Sequence, residues 1–177
     1  MSAYAHTPRQ VLVDALLAPT TDDPQDQRPL LVRRLEVARE LLMRDLAQRM
    51  KGGPLLESPD AIHEWLSLYF LGYEREAFLV LLLDTRHRLI HSSELFQGTL
   101  HGTEVHPREV VREALHHNAA CVCVAHNHPS GNATPSSSDR ALTTRLKQAL
   151  DLVDVRLLDH FVVAGNTIVS LAMRGWV

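Results

Sequence analysis

Residues 119–139 read AACVCVAHNHPSGNATPSSSD. The first seven, Ala119–Ala125, form a short apolar run that reads as a strand. His126 and His128 stand at its C-terminal end. Residues two apart on a strand face the same way, so both imidazoles can reach one point. Pro129-Ser130-Gly131 then turns the chain, and a run of small polar residues that could not fill a core leads to Asp139 in the first turn of a helix. From there a carboxylate can come back toward the strand end. Two imidazole nitrogens and one carboxylate oxygen suit a tetrahedral zinc with its fourth position open to water, the pattern of a catalytic rather than a structural site. Singly the pieces say little: paired histidines are common at strand ends, and Ser136 with Asp139 is equally a helix cap. The combination is far more specific: His126-x-His128-Pro129, six residues, Ser136, two residues, Asp139.

Outward from this segment, strands and helices intermix. DRALTTRLKQALDLV, from Asp139, reads as a helix, and VRLLDHFVVAG and TIVSLAM read as strands joined by a two-residue Gly165-Asn166 turn. On the other side, Pro107 opens a helix, PREVVREALHHN, whose Val110, Val111, Ala114 and Leu115 make one apolar face. Before it, AFLVLLLD is a short, continuous apolar run and so a central strand, and RLIHSSELF is a second strand after a turn at Thr85-Arg86-His87, most simply a hairpin. Further back the pattern is helical. SPDAIHEWLSLYFLG starts at Ser58-Pro59, and Gly52-Gly53-Pro54 stops a long amphipathic helix whose Leu31, Leu35, Ala38, Leu42, Leu46 and Met50 recur at three- and four-residue steps. A short helix is expected over RQVLVDALL, with Thr7 and Gln10 spaced as a capping box and Pro8 in its first turn. Between these helices, APTTDDPQDQRP reads as a mobile linker. The expected class is α/β in the α+β sense, a mixed sheet flanked by helices. Residues 1–52 are expected to form a helical N-terminal region with a linker, and 53–177 the sheet-containing domain.

Composition sets the bounds. The 177 residues are 45% hydrophobic, enough for a real core, and the formal charge of −3 makes no whole-chain case for nucleic acid or an anionic membrane. No apolar run approaches a membrane span and MSAYAHTPRQ lacks the build of a signal peptide, so a cytoplasmic protein without membrane contact is expected. Cys121 and Cys123 flank Val122 on one strand face and are expected as small buried hydrophobes, not a disulfide. Eleven histidines is a high count that asks which are ligands.

The His126-x-His128-Pro129…Ser136…Asp139 string resembles the JAMM (MPN+/JAB) metalloprotease signature. VHPREVVREAL, AHNHPSGNATPS and LLDHFVVAG together resemble the bacterial RadC family, which carries that domain, over roughly Gly53 to Val177. The resemblance implies an MPN-type fold, zinc on His126, His128 and Asp139, and a hydrolase-like site. It implies a general base at Glu76, just ahead of AFLVLLLD, with Glu74 as rival, and a substrate oxyanion steadied by the Ser136 hydroxyl. His106, in VHPREV, matches the family pattern as a site-flanking or structural histidine. His160 lies inside a strand and reads as a core residue or one backing a ligand. His116 and His117 end a helix, where cations suit the dipole. A metallo-β-lactamase pattern would need Asp at Ser130, and a zinc deaminase would need a Glu and a Cys-x-x-Cys that are not there.

RadC relatives usually carry an N-terminal helix-hairpin-helix that binds DNA backbone. No glycine precedes Gly52, so the glycine-containing hairpin that presents N–H groups to phosphate cannot be drawn, and DNA binding is not expected by inheritance. Three functions stay open: a zinc peptidase or isopeptidase acting on a protein or peptide, a noncatalytic metal-containing module assisting DNA or protein transactions, and a metal-dependent phosphoesterase. The last is disfavoured, because one Asp and two His supply one metal site rather than a pair. Retention of Glu76, Ser136 and three ligands favours the first.

Overall fold

A computed structural model describes residues 4–17, 30–55, 59–97 and 105–177. The chain divides into two compact units, Met1–Gln48 and Arg49–Val177. In the first, the start of α1 (Arg9–Leu17) is tied to α2 (Leu30–Gly52) by the Arg9–Asp45 ion pair at 2.8 Å. Pro8 stands just ahead of α1, its carbonyl accepting from the Leu12 N–H, rather than inside the first turn. The Arg44 guanidinium gathers the carbonyls of Tyr4, Ala5 and Thr7 at 2.7–3.1 Å and so fixes the approach to α1. The apolar stripe expected on α2 is only partly buried. Leu46 and Met50 are covered, but Leu31, Leu35 and Leu42 are 53–68% exposed, and Val37 is buried instead. The expected linker, residues 18–29, lies outside the described residues, as does the expected Ser58 start of the next helix.

The second unit holds α3 (Pro59–Phe70), β1 (Ala77–Leu83), β2 (Leu89–Gln97), α4 (Pro107–His116), β3 (Cys121–Asn127), α5 (Ser137–Asp151), β4 (Arg156–Ala164) and β5 (Thr167–Ser170). The mixed sheet runs β2-β1-β3-β4-β5. The expected hairpins form, β1 with β2 and β4 with β5, the latter across Gly165 at φ 56. Between them β3 pairs antiparallel with β1 and parallel with β4, so α5 is the crossover of a β-α-β unit. β1 and β3 are buried at every position, which is why both read as continuous apolar runs. Phe78, Val80, Leu82, Val122 and Val124 share one core with Val110 and Ala114 of α4 and Leu146 and Leu150 of α5. Alternate residues, including the buried thiols of Cys121 and Cys123, point to the other face, and α3 meets β4 and β5.

β3 begins and ends two residues later than the apolar run suggests. His126 is therefore a paired strand residue, opposite Phe78 of β1 and Val162 of β4, and only 7% exposed. Because Phe78 belongs to the α4/α5 core, the register puts His126 on the face that α5 covers. Among the described residues no helix is long and apolar enough to cross a membrane.

Candidate metal centre

The site is built where β3 ends and α5 begins. His128, one residue past β3, is pinned by its backbone N–H, which donates to the Val163 carbonyl of β4 at 2.8 Å. The polar loop after it is ordered by its own side chains: the Thr134 N–H donates to Asn132 Oδ1, and Gly131 turns at φ 79. Ser136 caps α5 in a complete capping box. Its hydroxyl accepts from the Asp139 N–H, and its own N–H donates to Asp139 Oδ2 at 2.7 Å. Asp139 is thereby turned back toward β3. His126 Nε2 lies 3.0 Å from His128 Nε2 and 3.2 Å from Asp139 Oδ1, and His128 Nε2 lies 3.7 Å from Asp139 Oδ2. Ligand bonds of about 2.0–2.1 Å in a tetrahedron put donor atoms about 3.3 Å apart, so the three residues fit one zinc ion with little movement.

The protons can be counted from the partners. The Thr143 hydroxyl donates to the Asp139 carbonyl at 2.7 Å, so towards His160 Nδ1, also at 2.7 Å, it can only accept. Burial above all, then the facing His126, pushes His160 well below the ordinary imidazole range, so the ring is neutral with its one proton on Nδ1. Its Nε2 is then an acceptor, and it faces His126 Nδ1 at 2.8 Å. That assigns the His126 proton to Nδ1 and leaves a lone pair on Nε2. His128 reaches the same state by a shorter route, since its Nδ1 faces the Asn132 carbonyl at 2.8 Å and a carbonyl only accepts. Two bare nitrogens and a carboxylate thus converge on one point, a donor set that calls for a cation. The Asp139 carboxylate accepts at Oδ2 from both the N–H and the hydroxyl of Ser136, which favours its ionised form.

Glu76 lies in the segment leading into β1, half-buried, while Glu74 is exposed. The β1–β3 register, with Phe78 opposite His126, carries Glu76 to the level of His128 and Glu74 two residues beyond it. Asn127 fastens this segment: its buried side chain accepts from the Ala77 N–H at 2.8 Å and donates to the Arg75 carbonyl at 3.0 Å, gripping the backbone on both sides of Glu76. A cleft of about 300 Å³ is lined by Gly72 to Ala77. One of its walls, Tyr73, is held by its hydroxyl donating to Glu94 at 2.7 Å. The Ser136 hydroxyl proton is aimed at Asp139 Oδ2 at 2.7 Å.

Comparison with known proteins gives the family. Residues 56–176 match the family model of the RadC-like JAB domain. The chain belongs to that family. It is 50% identical over 143 residues to a UPF0758 protein of Vibrio cholerae serotype O1 (strain M66-2), covering 81% of this chain and 64% of that one. It is 52% identical over 149 residues to a UPF0758 protein of Xanthomonas campestris pv. campestris (strain 8004), covering 84% and 66%. A UPF0758 protein of Janthinobacterium sp. (strain Marseille) is 51% identical over 147 residues, covering 83% and 66%. The chain thus spans just under two thirds of the length of these curated relatives.

In this RadC-like JAB domain the structure brings His126, His128 and Asp139 together, with Ser136 against Asp139. His160 backs His126 directly. His106 stands at the N-cap of α4 without a side-chain cap bond, edge-on to Phe96 at 6.0 Å. Asn127 and Thr143 were not singled out from the sequence. The signal for Thr143 was present, since it lies one helical turn after Asp139 and so on the same face of α5. Asn127 alternates with the two histidines and so points away from them, toward the β1 lead-in.

Proposed function

We propose that the protein is a zinc-dependent hydrolase of the JAMM type, a peptidase or isopeptidase acting on a protein or peptide in the cytoplasm. The observation that carries this reading is the convergence of two imidazole lone pairs and a carboxylate whose protonation is set by residues behind them. A zinc ion there would supply Lewis acidity, which makes water a nucleophile at neutral pH and polarises a carbonyl. His126, His128 and Asp139 hold it, and His160 and Thr143 keep His126 in its ligating tautomer. The Glu76 carboxylate takes a proton from the attacking water and returns it to the leaving nitrogen, so one residue serves both transfers. Its place opposite His128 supports it over Glu74. The Ser136 hydroxyl steadies the developing oxyanion once its proton turns from Asp139 to the substrate, a task suited to a donor fixed at a helix start.

The test removes the base and leaves the ligands. Purified protein should carry about one zinc in this site, and Glu76→Gln should keep the zinc and the fold. A library of peptides and isopeptide-linked tails offered to both proteins should be cleaved by wild type and left intact by the variant, with a loss of at least about 10⁴-fold, the top of the range for one acid–base group. Equal cleavage would move the base to Glu74. Zinc-loaded wild type that cleaves nothing, yet retains a protein or duplex DNA at physiological salt, would favour the noncatalytic module.

A further inference from the structure

The histidines at the end of α4 do more than complement its dipole. His117 closes the helix, and its Nε2 lies 3.4 Å from Glu113 Oε1, one turn back on the same face. His91 of β2 stacks on the His117 ring with centroids 4.3 Å apart and planes 16° from parallel. One ligand atom from each of His91, Glu113 and His117 can be chosen so that all lie within 4.8 Å of one another. The Glu113 carboxylate is oriented by a hydrogen bond from the Ser93 hydroxyl. His91 is opposite Leu82, which places it on the face that α4 covers.

We propose that His91, Glu113 and His117 form a second binding site, for a divalent first-row transition metal, that clips the edge strand β2 to the end of α4. Two imidazoles and a carboxylate are borderline donors, suited to zinc, cobalt, nickel or copper rather than to magnesium or calcium, which take oxygen ligands. The C-terminal end of a helix carries partial negative charge, so a cation is favoured where His117 stands. Sharing an ion requires the stacked rings to splay, and there is room: His91 is exposed and the His117 side chain is 25% exposed. Burial, then the neighbouring His117, holds His91 below the ordinary imidazole range, which keeps it in the neutral, ligating form; Lys51 and His116 add to this and Glu113 opposes it. The site is separate from the one at β3. Leu82 and Phe78, the β1 residues facing His91 and His126, are four apart, which is about 13 Å along a strand.

The test is a titration of the full-length, metal-stripped protein with Co²⁺, followed by its visible absorption and by equilibrium dialysis. Wild type should take up two equivalents, and His91→Ala or Glu113→Gln should each take up one fewer while keeping the wild-type circular dichroism. In a His128→Ala background one equivalent should remain, and adding His91→Ala should remove it. Since His91→Ala reports only on the second site, failure of the β3 site would change the wild-type count and leave this difference intact. An unchanged count in His91→Ala and in Glu113→Gln would overturn the proposal.

Discussion

Thr143→Val deletes one hydroxyl from a fully buried position while keeping the shape of the side chain. His160 Nδ1–H loses its acceptor, and a buried donor left unpaired costs about 1–3 kcal/mol. The ring can escape that cost by moving its proton to Nε2, but there it would meet the His126 Nδ1 proton across 2.8 Å. His126 would then have to carry its proton on Nε2, the atom that faces His128 and Asp139. Either outcome weakens the metal centre. Losing a partner behind a ligand typically costs 10–100-fold in affinity, about 1.4–2.8 kcal/mol. Zinc competition against a chromophoric chelator should show that loss for Thr143→Val, while Thr143→Ser, which keeps the hydroxyl, should bind like wild type. Denaturant unfolding in EDTA should show the metal-free valine variant less stable by about 1–3 kcal/mol. Wild-type zinc affinity in Thr143→Val would refute the proton assignment, as would ¹⁵N imidazole spectra placing the wild-type His160 proton on Nε2.

Asn127→Ala releases the Ala77 N–H and the Arg75 carbonyl on either side of Glu76. Zinc content should be unchanged, while turnover of any substrate the wild type cleaves should fall by about 10²-fold, the scale of a misplacement near 1 Å; full activity would mean that Asn127 does not position the base. The pH dependence of the metal-free protein should report His160. Its folded pKa is depressed from 6.5, so below that pH the unfolded chain binds a proton that the folded chain does not, and stability falls as pH falls. Between pH 6.5 and 5 wild type should therefore lose up to about 1.4 kcal/mol per pH unit more than His160→Gln, and parallel curves would exclude the buried neutral ring.

The candidate ligands were legible as a group because they sit on one continuous segment, where strand alternation places His126 and His128 and a helix cap places Ser136 and Asp139. The strand order was partly legible for the same reason, since both hairpins join neighbours in the chain. What lies behind the ligands was not. Thr143 and His160 are 17 apart, His160 and His126 are 34 apart, and Asn127 reaches 50 and 52 residues back to Ala77 and Arg75. Each of those contacts exists only because β3 pairs parallel with β4 on one side and antiparallel with β1 on the other. No local rule states that pairing. His117 illustrates the same limit, because a helix-end histidine is fully accounted for by the dipole until the β1–β2 register brings His91 against it. The physical division is between donor atoms, whose direction a few neighbouring residues decide, and proton positions, which tertiary pairing decides. In this chain the second set makes the first usable: with its proton on Nε2, His126 would satisfy the same sequence pattern and hold a metal more weakly.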